Sequence, residues 1–219
     1  MIAGPRPASW FLRCGLISVF LAALMMATGG PVFSSPGGAP NLVAVVTVTP
    51  TTAVPNQQIS LFGTGFTPTT TSGGNGPGGA HQITGAGISG VTVSGFLLAA
   101  PNVNYPINID SNGKWSVSVV VPVNATSLLG GTQEIRVIDD NGVVAVSSYT
   151  LPLRTFSVSP STSRRNSAVT VTGAGYPATN GVASSTYTIS IEYGETIVGN
   201  FTADANGDLS AIITVPLTA

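Results

Sequence analysis

Apolar and polar residues alternate with a period of two along much of the chain beyond residue 41, most cleanly over residues 114–121. There Trp115, Val117, Val119 and Val121 share one face, while Lys114, Ser116 and Ser118 take the other. That alternation predicts a half-buried strand. Asn112-Gly113 comes just before it and supplies a tight turn, because both residues tolerate positive φ. Residues 132–138 and 143–149 flank a second pair, Asn141-Gly142, and read as a hairpin with Ile135 and Val137 facing inward. Shorter β-rich runs over 42–49, 58–62, 91–98 and 103–109 complete a first set of strands. A second set covers 155–159, 168–172, 186–193, 197–203 and 208–215. No segment after the N-terminal region holds a helical period. Many short strands with frequent turn signals predict an all-β fold of the sandwich type.

The strand pattern is written twice. Val48-Thr49-Pro50 and Phe62-Gly63-Thr64-Gly65-Phe66 return as Val158-Ser159-Pro160 and Thr172-Gly173-Ala174-Gly175-Tyr176, a shift of 110. Asp110-Ser111-Asn112-Gly113 and Val121-Pro122 return as Asp204-Ala205-Asn206-Gly207 and Val215-Pro216, a shift of 94. An internal repeat sets the architecture before any chemistry is considered, and here it predicts two β modules in series, residues 42–152 and 153–219. The two shifts differ by 16, so the first copy carries 16 residues that the second lacks between Gly175 and Asn206. The Thr/Gly-rich stretch 67–90 is the expected place for them, as an inserted mobile loop with little to bury. Residues 123–151 include the last hairpin of the first copy, and only Leu217, Thr218 and Ala219 follow Pro216. The second sandwich is therefore expected to lack its last two strands.

At these landmarks the chain resembles the immunoglobulin-like repeats of bacterial secreted and surface proteins, the IPT/TIG-type and related modules. Their opening is similar to Val158-Ser159-Pro160-Ser161 with Val169-Thr170-Val171-Thr172-Gly173-Ala174-Gly175-Tyr176. Their middle resembles Asp204-Ala205-Asn206-Gly207 leading to Val215-Pro216, and their ending resembles 131–137 with Asp140-Asn141-Gly142. The resemblance implies two tandem Ig-like β-sandwiches, and roles as spacers, adhesive stalks or accessory binding domains without catalysis. The chromophore-carrying sandwich proteins of actinomycetes share the opening pattern, but they have paired cysteines that this chain lacks beyond Cys14.

Composition narrows the address. Only 7% of residues are charged, against roughly 25% in an average soluble domain, while 43% are hydrophobic. Such a chain buries a core and solvates its surface with hydroxyls and amides. Its seven cations are scattered, which speaks against nucleic acid as a partner. At the N-terminus, Arg6 and Arg13 precede the apolar run 15–27, and small residues follow. That order predicts a signal-peptide helix over 1–30, cleaved between 27 and 39, with a Pro/Gly/Ser linker over 31–41. The run is short for a spanning helix, so contact with a membrane is expected only through this signal or anchor. Secretion or cell-surface display follows, and Cys14 leaves with the signal. No disulfide would then staple the mature chain, which modules of about 100 residues do not require.

The inventory of chemistry is thin. His81 is the only histidine, and no acid adjoins it in sequence to build a triad or a metal site. The oxygen-bearing residues Asp110, Asn112, Asp204, Asn206 and Asp208 alternate as at the start of an EF-hand loop, and Asp139-Asp140-Asn141 is similar. The bidentate Glu of that loop belongs at position twelve, where the chain has Val121 and Val215. Turn chemistry explains these stretches without a cation. Asn124-Ala125-Thr126 and Asn200-Phe201-Thr202 match glycosylation sequons through sheer abundance of threonine. Trp115 reads as core. No catalytic, cofactor or metal residue is assigned, so the chain is expected not to be an enzyme and to need no cofactor. The partner expected is a protein or a cell-surface glycan. One alternative is self-assembly through the open sheet edge, with residues 42–49 of a neighbour as donor strand. Another is carbohydrate binding, with Phe96, Tyr105, Tyr149, Tyr187 and Tyr193 as the aromatic pool.

Overall fold

A computed structural model describes residues 43–70, 79–124, 127–179 and 186–217. The predicted signal peptide, its cleavage window, Cys14 and the linker 31–41 lie outside the described residues, as does the Gly-rich stretch 71–78.

Among the described residues the chain is all-β. Its strands are β1 (Val45–Thr49), β2 (Gln58–Thr64), β3 (Gln82–Ile83), β4 (Gly90–Val93), β5 (Phe96–Leu97), β6 (Ile107–Asn108) and β7 (Trp115–Val120). They continue as β8 (Gly131–Ile138), β9 (Val144–Leu151), β10 (Thr155–Ser159), β11 (Ala168–Ala174), β12 (Ile189–Tyr193), β13 (Thr196–Phe201) and β14 (Leu209–Thr214). The one helical element among these residues is a 3-10 turn, Ser127–Leu129.

In the first copy, the sheet β1-β2-β7 and the sheet β5-β4-β8-β9 are both antiparallel. Their inner faces meet in one core that takes Val46, Leu61, Trp115 and Val119 from the first sheet and Val91, Ile135, Val137 and Tyr149 from the second. Burial on alternate residues, as in β2 and β8, is what the period-two pattern demands. Trp115 lies across Gly63, its partner in the ladder; a Cβ on Gly63 would sit 2.1 Å from the indole. The Phe66 ring meets the indole edge-on at 5.3 Å, a favoured aromatic geometry. Strand β9 ties the second sheet to the segment after β1: the Thr150 amide donates to the Thr51 carbonyl at 2.8 Å, and the Ala53 amide donates to the Thr150 carbonyl at 3.1 Å.

The second copy has its own core of Val169, Val171, Ile191, Leu209, Ala211, Ile213 and Val215, between the sheet β10-β11-β14 and the pair β12-β13. Its registers repeat those of the first. Val48↔Leu61 becomes Val158↔Val171, shifted by 110 on both strands. Ile59↔Val119 becomes Val169↔Ile213, shifted by 110 on one strand and by 94 on the other. Among the described residues no strand of the second copy occupies the place of β8 and β9.

The strand pairs also relocate the extra residues of the first copy. Val93↔Phe96 corresponds to Tyr193↔Thr196, a shift of 100. Of the 16 extra residues, 10 therefore precede β4 and 6 lie between β5 and β7, where β6 runs. Residues 67–70 and 79–90, the described parts of the stretch 67–90, are not a free loop either. Ile83 of β3 is fully buried in the core, Gln82 and Ile83 pair with Asn108 and Ile107, and the Thr69 hydroxyl donates to the Ile109 carbonyl at 2.5 Å. Likewise, the run 103–109 forms only the two-residue strand β6.

Among the described residues the copies meet at a joint around Asn56. Both carry the same turn, in which Asn56 (φ 64°) and Asn166 (φ 61°) adopt the left-handed region. Their amides donate to Val121 and Val215, each at 2.9 Å. In the first copy this turn is covered by the second copy: the Asn56 side-chain amide donates to the Ala178 carbonyl at 2.6 Å, and the Ala178 amide donates to the Pro55 carbonyl at 2.9 Å. Asn56 and Ala178 are buried there, whereas Asn166 is exposed.

Candidate functional site

The acidic turns come first, because sequence suggested a cation there. In all three the first aspartate uses one oxygen, Oδ1, to accept two backbone amides. Asp110 accepts from Asn112 and Lys114, both at 2.8 Å. Asp204 accepts from Asn206 at 2.8 Å and Asp208 at 2.9 Å. Asp139 accepts from Asn141 at 3.0 Å and Val143 at 2.8 Å, and its Oδ2 accepts from Thr67 at 3.0 Å. The carboxylates shape turns that admit glycine next: Gly113 and Gly207 have φ near 70° and 78°, and a Cβ on either would come within 2.4 Å of a backbone oxygen, that of Phe66 or Tyr176. Hydrogen bonds from the Lys114 and Asn112 amides hold the Asp110 carboxyl below the usual carboxylate range. Among the described residues no three His, Cys, Asp or Glu side chains gather as a metal ion requires.

His81 is not without an acid. Its Nδ1 lies 3.0 Å from Asp140 Oδ1, and Asp140 Oδ2 accepts the Gln82 amide at 3.2 Å. The two residues stand 59 apart in the chain, so no local pattern announces them. The pair is partly exposed and pins β3 to the β8–β9 turn.

The aromatic pool divides. Tyr149 is buried in the core, and burial pushes its phenol well up; among the described residues its hydroxyl has no partner, and neither has Trp115 Nε1. Tyr105 is half-buried, and burial outweighs the amide of Val91 donating to its oxygen at 2.8 Å, so its phenol is also raised. Phe96 and Tyr193 remain exposed. Trp115 is core, as its place in the alternation predicts.

The most distinctive surface lies where the copies differ. In β1, Val46 and Val48 are each 4% exposed. Their counterparts in β10, Phe156 and Val158, are 55% and 38% exposed. Val93 of β4 is 4% exposed, and its counterpart Tyr193 of β12 is 44% exposed. These side chains, with Pro160, Ile191 and Ile213, line an open groove of about 480 Å³. Other exposed apolar side chains, such as Ile88, Leu129 and Ile212, are not among those lining this groove. The sequence carries the signal in the shift of 110, which maps Val46 and Val48 onto Phe156 and Val158; only their uncovering needs the strand order. The strand 42–49 named as a donor is engaged elsewhere, since β1 is paired to β2 and holds Val46 and Val48 in its own core.

No family model matches the chain, and no curated protein matches it. Among solved structures, the crystal structure of a tetra-tandem repeat in the extending region of a large adhesion protein is similar over 80% of this chain and 41% of that one. The identity is 18% and the TM-score 0.27. The chain thus spans less than half the length of that structure, and a likeness of this degree carries no argument about role.

Proposed function

We propose that the chain is a non-catalytic structural or interaction module of the cell exterior, a stalk or spacer built of immunoglobulin-like repeats of the IPT/TIG kind. The observation that carries this reading is the joint at Asn56. A flexible tether between copies would leave that turn solvated, as it is at Asn166. Instead, a side-chain and a backbone hydrogen bond link Pro55-Asn56 to Ala178, and Gly207 packs so near Val54 that a Cβ would lie 3.0 Å from its methyls. Repeats that contact their neighbours in this way transmit orientation along an array, which is what a spacer needs. The N-terminal order of charged flank, apolar run and small residues supports export, and the polar uncharged surface suits a role outside the cell.

Two measurements test the reading. Residual dipolar couplings on the full chain are expected to fit one alignment tensor for both copies, and Asn56→Gly, which keeps the positive φ but removes the amide, is expected to split it into two. Independent tumbling of the copies in the unaltered chain would sink the spacer role. Fractionation of a bacterial host expressing the full chain is expected to place the product outside the cytoplasm with its N-terminus between residues 27 and 39; a cytoplasmic product retaining Met1 would refute export.

A further inference from the structure

We propose that the first copy holds a saccharide-binding cleft, built along the outer edge of β7 and fitted to an uncharged glycan chain. The cleft has a volume of about 510 Å³ and opens between β7, the edge strand of its sheet, and residues 104–108. Every residue that lines it belongs to the first copy. Its floor includes the buried Ile107. Its rim is Phe62, Asn104, Asn108, Asp110, Lys114 and Ser116, all exposed.

The rim carries the groups that a sugar engages. Phe62 faces Ser116 across the ladder of β2 and β7, so an apolar ring stands among polar side chains. A phenyl ring matches the C–H face of a pyranose, and the polar groups around it match hydroxyls that both donate and accept. The Asn104 amide, the Lys114 ammonium and the Ser116 hydroxyl hydrogen-bond to no described residue. Asn108 accepts from Gln82 at 2.9 Å through its Oδ1 and keeps its side-chain N–H groups for a ligand. Asp110 and Lys114 supply one charge of each sign. A phosphate or sulfate would meet Asp110 and a polycation would meet Lys114, so the rim favours an uncharged ligand.

The rim is also fixed in advance. Six extra residues of the first copy fall in the segment between β5 and β7, which brings Asn104 to the cleft. That segment is tied down on both sides of Asn104. The Val91 amide donates to the Tyr105 hydroxyl at 2.8 Å, the Val120 amide donates to the Asn102 carbonyl at 2.8 Å, and the Asn102 side chain donates to the Val120 carbonyl at 2.9 Å. A preformed rim loses little order on binding. The cleft recurs in the second copy. The Thr69 hydroxyl donates to Ile109 as the Thr179 hydroxyl donates to Ala203, which aligns Asn108 with Thr202 and Ser116 with Ser210. Thr202 and Ser210 line a cleft of about 440 Å³ together with Asn200 and Phe201, again a phenyl ring among amides and hydroxyls. An extended peptide fits the β7 edge poorly. Alternate residues of β7 point their N–H and C=O groups outward. Of these, the Lys114 carbonyl already accepts from Asp110 and Val120 is bonded to Asn102, so a strand would find only Ser116 and Ser118.

The test is titration of the full chain, followed by NMR shifts, with neutral hexasaccharides of glucose, xylose, mannose, galactose and N-acetylglucosamine. At least one is expected to bind saturably at millimolar concentration, with shifts at residues 104–108 and 114–117. Phe62→Ala, at an exposed position, is expected to weaken binding about tenfold while the melting curve stays unchanged. Phe96→Ala, which removes an exposed ring outside the cleft, is expected to leave binding intact. The comparison ligands are an oligogalacturonate, with a carboxylate on each ring, and an octapeptide of alternating valine and threonine; neither is expected to bind. Silence of all five hexasaccharides at millimolar concentration, or binding that survives Phe62→Ala, would overturn the proposal. So would tighter binding of the oligogalacturonate or the octapeptide to the same residues, since the ligand would then be a polyanion or an extended peptide. None of these outcomes touches the spacer reading, which rests on the joint at Asn56 and needs no cleft.

Discussion

Strands β1 and β10 are the same element written twice, and they have opposite fates. Both lead into a proline, both pair with the next strand in the same register, and both place apolar residues at the same two positions. In β1 those residues are buried under β9; in β10 they face solvent. Burial is thus a property of what covers a strand, not of the strand. In the second copy the described residues form one three-stranded sheet, one hairpin and a small core that includes Leu209 and Ile213.

The largest expected effect that would break the comparison is at the ladder position shared by Trp115 and Leu209. Trp115→Ala should cost about 3–5 kcal/mol by opening a cavity beside Gly63 and Phe66, read as loss of the first copy's unfolding transition in calorimetry. Leu209→Ala should leave that transition in place and remove the second copy's. A sharper contrast is the pair Val48→Asp and Val158→Asp. The first buries an unpaired charge and should cost on the order of 3 kcal/mol; the second should stay within about 0.5 kcal/mol. Equal effects in urea titrations would mean that the β10 face is covered in solution. Smaller still, Tyr149→Phe removes a buried hydroxyl that has no partner among the described residues and should raise stability by about 1 kcal/mol, seen as a higher first-copy midpoint. The smallest concerns Asp110. Its folded carboxyl sits below the usual range, so its contribution is present at neutral pH and fades as pH falls through the folded value. A carboxyl-carbon NMR titration should give a midpoint below that of a free aspartyl peptide.

Much of the fold is legible in the sequence because long strands announce themselves. The alternation at 114–121 and 132–138 reports burial of Trp115, Val119, Ile135 and Val137 directly. The two shifts foretell registers that no propensity could give. What stays hidden is non-local. Ile83 belongs to a two-residue strand too short to show a period, and its burial depends on pairing with Ile107. His81 finds Asp140 only because β3 is laid beside the β8–β9 turn. Tyr149 reads as an available aromatic, yet its ring falls on the inward face of β9. The groove is half legible: its apolar residues repeat on schedule, but only the strand order shows that nothing described lies over them.

The three Asp-x-Asn-Gly turns also bear on how long the molecule lasts. Asn-Gly is the dipeptide most open to spontaneous deamidation, in which the glycine amide nitrogen attacks the asparagine side chain to close a succinimide ring. Here each of those nitrogens is already donating: Gly113 to the Asp110 carbonyl at 3.1 Å, Gly142 to Asp139 at 3.2 Å and Gly207 to Asp204 at 3.1 Å. The turn must open before the nitrogen can react, and its left-handed glycine conformation, held by the adjoining carboxylate, resists that opening. The bonds that order these turns therefore also slow chemical ageing.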